Sequence, residues 1–486
     1  MKSIKTYLSI GIAAMLLFSS CDDYLDVNEN PNSPENAPVE MHIGPLIAGL
    51  TFNMQDSWPA ILSSNWSQQI SNNGDPYYYN VDWYQMGQPW FGFSDTWDAS
   101  YTTIAKNARA AYQRAEEDES LKNHEGVAKL IFVWNMSILT DLYGDIPYSE
   151  AFNPADPTPP YDAQENIYPE LFTLLDDAIS ALEEGGPVPL GANDLLYGGD
   201  MDKWVRLAYS LKARLLMRLT EAPDGQKQQR ASDALDALAN GLQSNADNAV
   251  FSYIDDNDSR NPWNRFRADE ASEHVQLSAN YIEMLQDLDD PRLSIHAEEA
   301  AEHDPGEEYV GHANGAEGMA IDSVSHIGSY FTDPGAPSTL MDYAEVKFLE
   351  AQALLITQGP AAANSAYEEA IRADMEDLGV ADADITTYIA AREDLSVSGN
   401  PLEDIIEQKY IANFLTPEPW NDWRKTGYPQ LQAAQNPNGE SPNFDEIPRR
   451  WPWPGSELDN NSEEVEKTGL PMNFEVMLET VWWDTR

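Results

Sequence analysis

One cysteine, Cys21, stands in 486 residues, so no intramolecular disulfide staples the fold and no multi-thiolate zinc or iron–sulfur site can form. Basic residues are scarce: 28 Lys plus Arg face 82 Asp plus Glu, a net charge of −54. That balance removes the basic face that phosphate neutralisation needs, and with it nucleic acid as a partner. The chain has no G-x-S-x-G, no G-x-x-x-x-G-K-[ST] and no H-E-x-x-H, and its seven histidines show no ligand spacing. Lys-Thr-Gly occurs at Lys425 and Lys467, without the Ser-x-x-Lys that would complete a penicillin-recognising set. The stretch "DDNDSRNPWNRF" puts Arg260 where a calcium loop needs glycine. Neither metal nor cofactor is expected. A glycosidase needs only two carboxylates about 5–10 Å apart, so that reaction class stays open in so acidic a chain.

Aromatics are plentiful, with 14 Trp, 23 Tyr and 14 Phe, too many for a disordered acidic chain. A globular body with an acidic, solvated surface is expected, one suited to a saline habitat where counterions screen self-repulsion. The one long apolar run, "YLSIGIAAMLLF" behind Lys2 and Lys5, is shorter than the roughly 20 residues needed to span a bilayer and has the size of a secretory h-region. Ser19 and Ser20 then precede Cys21. This order resembles the lipobox of bacterial lipoproteins, which implies a signal peptide over residues 1–20 and a lipidated Cys21. Asp22 and Asp23 behind it look like a surface-export signal of Gram-negative lipoproteins. Residues 21–38, Asn- and Pro-rich without apolar periodicity, read as an anchored tether.

Beyond the tether the pattern is helical. In "DKWVRLAYSLKARLLMRLT", Trp204, Leu207, Ala208, Leu211, Leu215 and Leu219 keep three- and four-residue spacing, with Asp202 as the expected cap. "EGVAKLIFVWNMSILTDLY" and "IYPELFTLLDDAISALEE" read the same way. "DYAEVKFLEAQALLI" and "AANSAYEEAIRADMEDLG", parted by Gly359-Pro360, resemble a tetratricopeptide-like hairpin, with Ala351, Ala353, Ala366 and Ala370 at close-packing positions. Candidate pairs near 100–145, 165–220, 205–245 and 341–378 are irregularly spaced. The expected fold is mostly α, with irregular tetratricopeptide-like repeats packed against a loop-rich layer with a few short strands. That layer would come from the long segments 150–165, 185–200, 250–270, 300–340 and 430–475.

Several stretches together resemble one family. "CDDYLDVNENPNSP", "KWVRLAYSLKARLLMRL", "YAEVKFLEAQALL", "IIEQKYIANFL", "EPWNDWRKTGYP", "IPRRWPWPGSELDNN" and the terminal "VWWDTR" follow the order of SusD-like (SusD/RagB) outer-membrane nutrient-binding lipoproteins, in the branch distinct from the starch-binding founder. The resemblance implies one SusD-like helical domain over residues 39–486. It also implies a non-catalytic surface protein that captures oligomeric nutrient, oligosaccharide above all, and sits as a lid on a SusC-type TonB-dependent barrel.

Sugar rings pack on aromatic faces while Tyr and Trp polar groups anchor their hydroxyls. The densest aromatic stretch runs from Trp58 to Tyr101. Within it Trp97 and Tyr101, four apart at a helix start, are expected in the core. Tyr77, Tyr78, Tyr79, Trp83 and Trp90 lie among Asn, Gly, Asp and Pro and are the expected loop-exposed ligand contacts, with core packing as the competing use. Arg424, Lys425, Arg449 and Arg450 are expected to pair internally with acids, and Lys212, Arg214 and Arg218 to face acids of a neighbouring repeat. Two rival functions remain: a surface glycoside hydrolase, and an adhesive or structural interaction lipoprotein. Aromatic loops suit sugars first and also suit peptides, so a peptide ligand stays open.

Overall fold

The computed structural model describes residues 38–72, 79–84, 92–256, 259–268, 275–316, 318–434, 444 and 446–486. Helices α1 (Ile43–Leu50) and α2 (Trp58–Trp66) are joined by a wide π-type turn, Thr51–Gln55, and followed by strand β1 (Ile70–Asn72). Helix α3 (Phe93–Asp98) passes through a second π-type turn, Ala99–Ala105, into α4 (Lys106–Ala115). The helical layer continues with α5 (Lys122–Tyr143), α6 (Gln164–Glu184), α7 (Met201–Arg218) and α8 (Lys227–Leu238). Then come β2 (Ala249–Phe251), α9 (Pro262–Ala268), β3 (Val275–Leu277), α10 (Ala279–Asp287) and β4 (Ser338–Met341). The last long helices are α11 (Tyr343–Gln358), α12 (Pro360–Asp377), α13 (Asp382–Ala391), α14 (Pro401–Ala412) and α15 (Glu418–Thr426).

The expected apolar stripe of α7 is buried along its whole length, from Trp204 to Leu219. Its cap is Asp200, whose side chain accepts from Lys203 N at 3.3 Å; the expected Asp202 falls inside the first turn instead, where its charge still suits the helix dipole. Helix α5 is buried nearly all round, as a central helix must be. It meets α6 so closely at Gly126 that a Cβ there would lie 2.5 Å from Leu182 Cγ. The hairpin of α11 and α12 turns at Gly359, φ +91°, with Pro360 as first helical residue. Alanines at 351, 363, 366 and 370 let the two helices close on each other.

The second layer is built on two antiparallel pairs. β1 pairs with β3, Ile70 opposite Leu277; β2 pairs with β4, Ala249 opposite Met341. Around the first pair Trp263, Tyr281, Ile282, Tyr410 and Phe414 form a separate apolar cluster. The loop-rich layer with short strands is therefore present as expected.

Several of the scarce bases are internal. Among the described residues Lys129, Arg214, Arg218, Arg292, Lys409, Arg424, Lys425, Arg449 and Arg450 are buried, together with acids such as Asp141, Glu345, Glu418, Asp422 and Asp484. On α7, Arg214 Nε donates to Glu345 at 2.7 Å, Arg218 bonds Asp141 at 3.1 Å and Glu418 at 2.6 Å, and Lys212 meets Asp176 at 2.5 Å. Lys409 pairs with Asp422 at 2.8 Å, with Lys425 at 3.9 Å from the same carboxylate, and Arg449 Nε donates to Asp484 at 2.8 Å. Arg424 and Arg450 depart from the expected acid pairing. Arg424 donates to the carbonyls of Asp141 and Arg449 and to Asn421 Oδ1, and Arg450 to the carbonyl of Tyr143. The terminal motif brings backbone carbonyls, rather than carboxylates, to those guanidinium planes. Trp97 and Tyr101 pack as expected, ring centroids 5.0 Å apart. Among the described residues no helix is long and apolar enough to cross a membrane.

Candidate functional site

The π-type turn behind α1 carries Phe52 and Asn53, and π-type irregularities re-aim side chains that a regular helix would stagger elsewhere. Asn53 Nδ2 donates back to Gly49 O at 2.9 Å. Helix α2 then starts with Trp58, with Pro59 setting its first turn. On the other side of the space, α9 begins at "NPW". Asn261 Oδ1 accepts from Trp263 N at 2.7 Å while its Nδ2 donates to Ala336 O at 2.9 Å. The cap fixes the helix to the loop layer and presents Arg265 and Phe266.

Between these elements lies an open cleft of about 490 Å³, within the size range of small-ligand sites. Trp58, Phe266, Phe52, Ile61 and Pro262 supply its apolar walls, and Asn53, Ser57, Asp95, Thr96 and Arg265 its polar groups. Trp58 and Phe266 meet edge to face, centroids 6.4 Å apart at 77°, and Trp263 buttresses Phe266 from behind at 6.1 Å. Gly92, φ +69°, lies against Trp58; a Cβ there would come within 2.8 Å of the indole Cδ2. The chain entering α3 thus touches the cleft wall. Just behind Ser57, Asp56 is buried and accepts from Ser338 Oγ at 2.5 Å and Tyr253 OH at 2.6 Å. Burial pushes its carboxyl up to about 6, against those two hydrogen bonds.

A second arrangement fixes the turn that carries Trp83. Asp82 is 2% exposed and accepts from Asn65 Nδ2 at 2.5 Å, Ser71 Oγ at 2.9 Å, Asn72 N at 3.1 Å, Asn314 Nδ2 at 3.3 Å and Gly315 N at 2.9 Å. Burial raises its pKa and these donors lower it, the burial being larger. Trp83 Nε1 donates to Gly315 O at 3.0 Å and Tyr84 OH accepts from Ala434 N at 3.1 Å.

Of the residues singled out from the sequence, Cys21, Tyr77, Tyr78 and Trp90 lie outside the described residues. Tyr79 opens the one-turn helix Tyr79–Asp82, its side chain outside the description. Trp83 corrects the expectation of loop exposure: it is 5% exposed, because the Asp82 carboxylate gathers donors from α2, β1 and the 312–316 loop and draws the turn inward. Phe266 and Arg265 were not singled out. In sequence their segment reads only as part of the long loop 250–270, and nothing local says that it faces Trp58.

In sequence, residues 31–454 match the family SusD-like_2, described as "Starch-binding associating with outer membrane". No curated protein matches the chain. Among solved structures, a chitin-binding protein is 26% identical over 92% of this chain and 100% of its own, with a TM-score of 0.78. A chitin-binding SusD homologue from Flavobacterium johnsoniae is 25% identical over 92% of this chain and 97% of its own, TM-score 0.76. A SusD/RagB family protein from Bacteroides thetaiotaomicron shares the fold at 24% identity, over 93% of this chain and 100% of its own, TM-score 0.78. With the family match running from the tether through the "RRWPWP" motif, and these neighbours superposing over the helical and loop layers together, the chain belongs to the SusD-like family.

Proposed function

We propose that the protein is a surface lipoprotein that binds oligosaccharide and hands it to a SusC-type TonB-dependent barrel, without chemistry of its own. The observation that carries the reading is the open cleft with Trp58 and Phe266 set edge to face among short polar side chains. Such a surface packs the C–H face of a pyranose and leaves its hydroxyls to Asn53, Ser57, Asp95 and Thr96. Tyr77, Tyr78, Tyr79 and Trp90 belong to the proposal as further ligand contacts, with Trp83 as the buried anchor of their turn. Two of the similar structures are named as chitin-binding, so N-acetylated β-1,4-glucosaminides are the first ligands to try. Among the described lining residues Asp95 is the one carboxylate, whereas glycoside hydrolysis uses a facing pair.

The signal peptide over residues 1–20, the lipidated Cys21, the tether over 21–38 and the single body over 39–486 complete the proposal. Several acyl chains on Cys21 would hold the protein at the outer membrane, since each buried CH₂ contributes about 0.8 kcal/mol. A lid on a barrel would bury an interface of order 2,000 Å² or more, and co-purification with such a barrel tests it. Calorimetry of residues 22–486 against neutral and charged oligosaccharides and a peptide pool, with product analysis, tests the ligand. Intact bound glycan is expected; cleaved glycan would make the protein a hydrolase, and no binding would favour an interaction module.

A further inference from the structure

Trp482 and Trp483 are neighbours with opposite roles. Trp483 is fully buried and its Nε1 donates to Asp141 Oδ1 at 2.7 Å. Trp482 is half-buried and lines an open pocket of about 430 Å³ between α6, the end of α7 and the start of α8. Tyr168, Phe172 and Leu216 form the apolar floor. The indole is held before any ligand arrives. Its neighbour is locked in the core, Thr485 Oγ1 donates to Glu221 O at 3.0 Å, and the Arg230 guanidinium lies over the Trp482 ring, 5.8 Å from its centroid. Arg230 is itself braced, donating to Leu219 O at 2.7 Å and Asp224 Oδ1 at 2.8 Å.

The polar rim has the chemistry that hydroxyl-rich rings select. Asn166 and Gln226 bring amides, and the Gln229–Asp233 pair, 2.7 Å apart, brings an oriented acceptor. Trp482 Nε1 and the Asn166 and Gln226 amides have no protein partner among the described residues, so each is available to a hydroxyl. Glu165, Asp224 and Asp233 outnumber Arg230 on the rim, which disfavours an anionic ligand. The pocket and the Trp58 cleft have no lining residue in common.

We propose that the Trp482 pocket is a second binding site for a pyranose unit of a neutral glycan, separate from the cleft; it rests on the reading of the chain as a glycan binder. Two sites on one chain make the second contact of a long polysaccharide intramolecular, so long chains are retained while short ones exchange.

Fluorine NMR of the protein carrying 5-fluorotryptophan separates the two sites, with the two resonances assigned from Trp58→Phe and Trp482→Phe. The probes are neutral hexasaccharides: β-1,4-glucan, β-1,3-glucan, α-1,4-glucan, β-1,4-mannan and N-acetylated β-1,4-glucosaminide. Both resonances should move saturably with the same sugar, on separate isotherms. Asn166→Ala with Gln226→Ala should abolish the Trp482 shift, spare the Trp58 shift and cut retention on the matching polysaccharide gel about tenfold. Movement of Trp58 alone overturns the second site and leaves the cleft standing. Movement of Trp482 alone overturns the cleft instead, and stillness of both overturns the two together.

Discussion

Trp58 and Phe266 stand edge to face across the open cleft, 6.4 Å between ring centroids, although one begins a helix near the amino terminus and the other ends a turn of α9. The contact leaves much of both rings for a ligand, so each should act as an anchor rather than as filler. Replacing Trp58 or Phe266 by alanine is expected to weaken oligosaccharide binding by about 2 kcal/mol, roughly 30-fold in Kd. The circular dichroism spectrum should be unchanged. Calorimetry on the folded variants decides it: binding within twofold of the parent would remove the cleft as the ligand site.

Asp82 and Gly315 carry the second prediction. The Asp82 carboxylate serves five donors, among them Gly315 N at 2.9 Å, and Trp83 closes the loop by donating to Gly315 O. In Asp82→Asn an NH₂ group replaces one acceptor and faces donors with nothing to give them. A loss of about 2–4 kcal/mol of stability follows from the buried, unsatisfied groups. Urea denaturation reads it as a lower midpoint at unchanged slope. An unchanged midpoint would mean that the carboxylate is dispensable.

What could be read from the sequence was what repeats. The α7 stripe from Trp204 to Leu219 and the Gly359-Pro360 break follow from periodicity and local backbone chemistry, and both are in place. The cap at Asp200 rather than Asp202 shows where this stops: two aspartates flank the helix start, and the 3.6-residue period does not choose between them. The cleft is harder still. Phe266 reaches Trp58 because β1 follows α2 and β3 follows α9, and the Ile70–Leu277 register brings the two helices together. Aromatic density along the chain is visible locally and points to residues 77–90, whereas strand pairing between distant segments leaves no local mark. Trp83 looked exposed among polar neighbours because Gly315, which accepts from its indole, and Asn314, which donates to the adjacent Asp82, come from far along the chain.

Arg424 is the test of the terminal motifs. Its guanidinium carbon lies 3.7 Å from the Trp420 ring centroid and 4.5 Å from that of Trp483, and Nη1 reaches the carbonyls of Asp141 at 2.7 Å and Arg449 at 2.9 Å. A planar fork suits two ring faces and two diverging carbonyls; an ammonium does not. Arg424→Lys, conserving charge, should therefore lose about 2–4 kcal/mol. If the lysine variant unfolds at the parent's midpoint, charge alone holds the motif and the stacked geometry contributes nothing.

The last prediction concerns pH. Asp342 caps α11, its Oδ1 accepting from Glu345 N at 2.6 Å, beside a partly open pocket of about 100 Å³ that Glu345, Asp374, Asp377 and Arg214 also line. Burial, and after it the negative charges of Glu345, Asp374 and Asp377, push its carboxyl up to about 8, outweighing the backbone hydrogen bond. The unfolded chain ionises this group near the ordinary carboxylate value and the folded chain holds its proton. The contribution to stability is therefore complete below about pH 4 and is lost progressively as pH rises through about 8. Asp342→Asn keeps a capping oxygen and removes the titration. The variant should melt with a flatter dependence between pH 5 and 8 than the parent, and should become the more stable of the two at the alkaline end, by an amount of order a few kcal/mol. Thermal melts across that range check it, and parallel curves for parent and variant would show that Asp342 is already ionised in the folded protein at neutral pH, with Arg214 neutralising it.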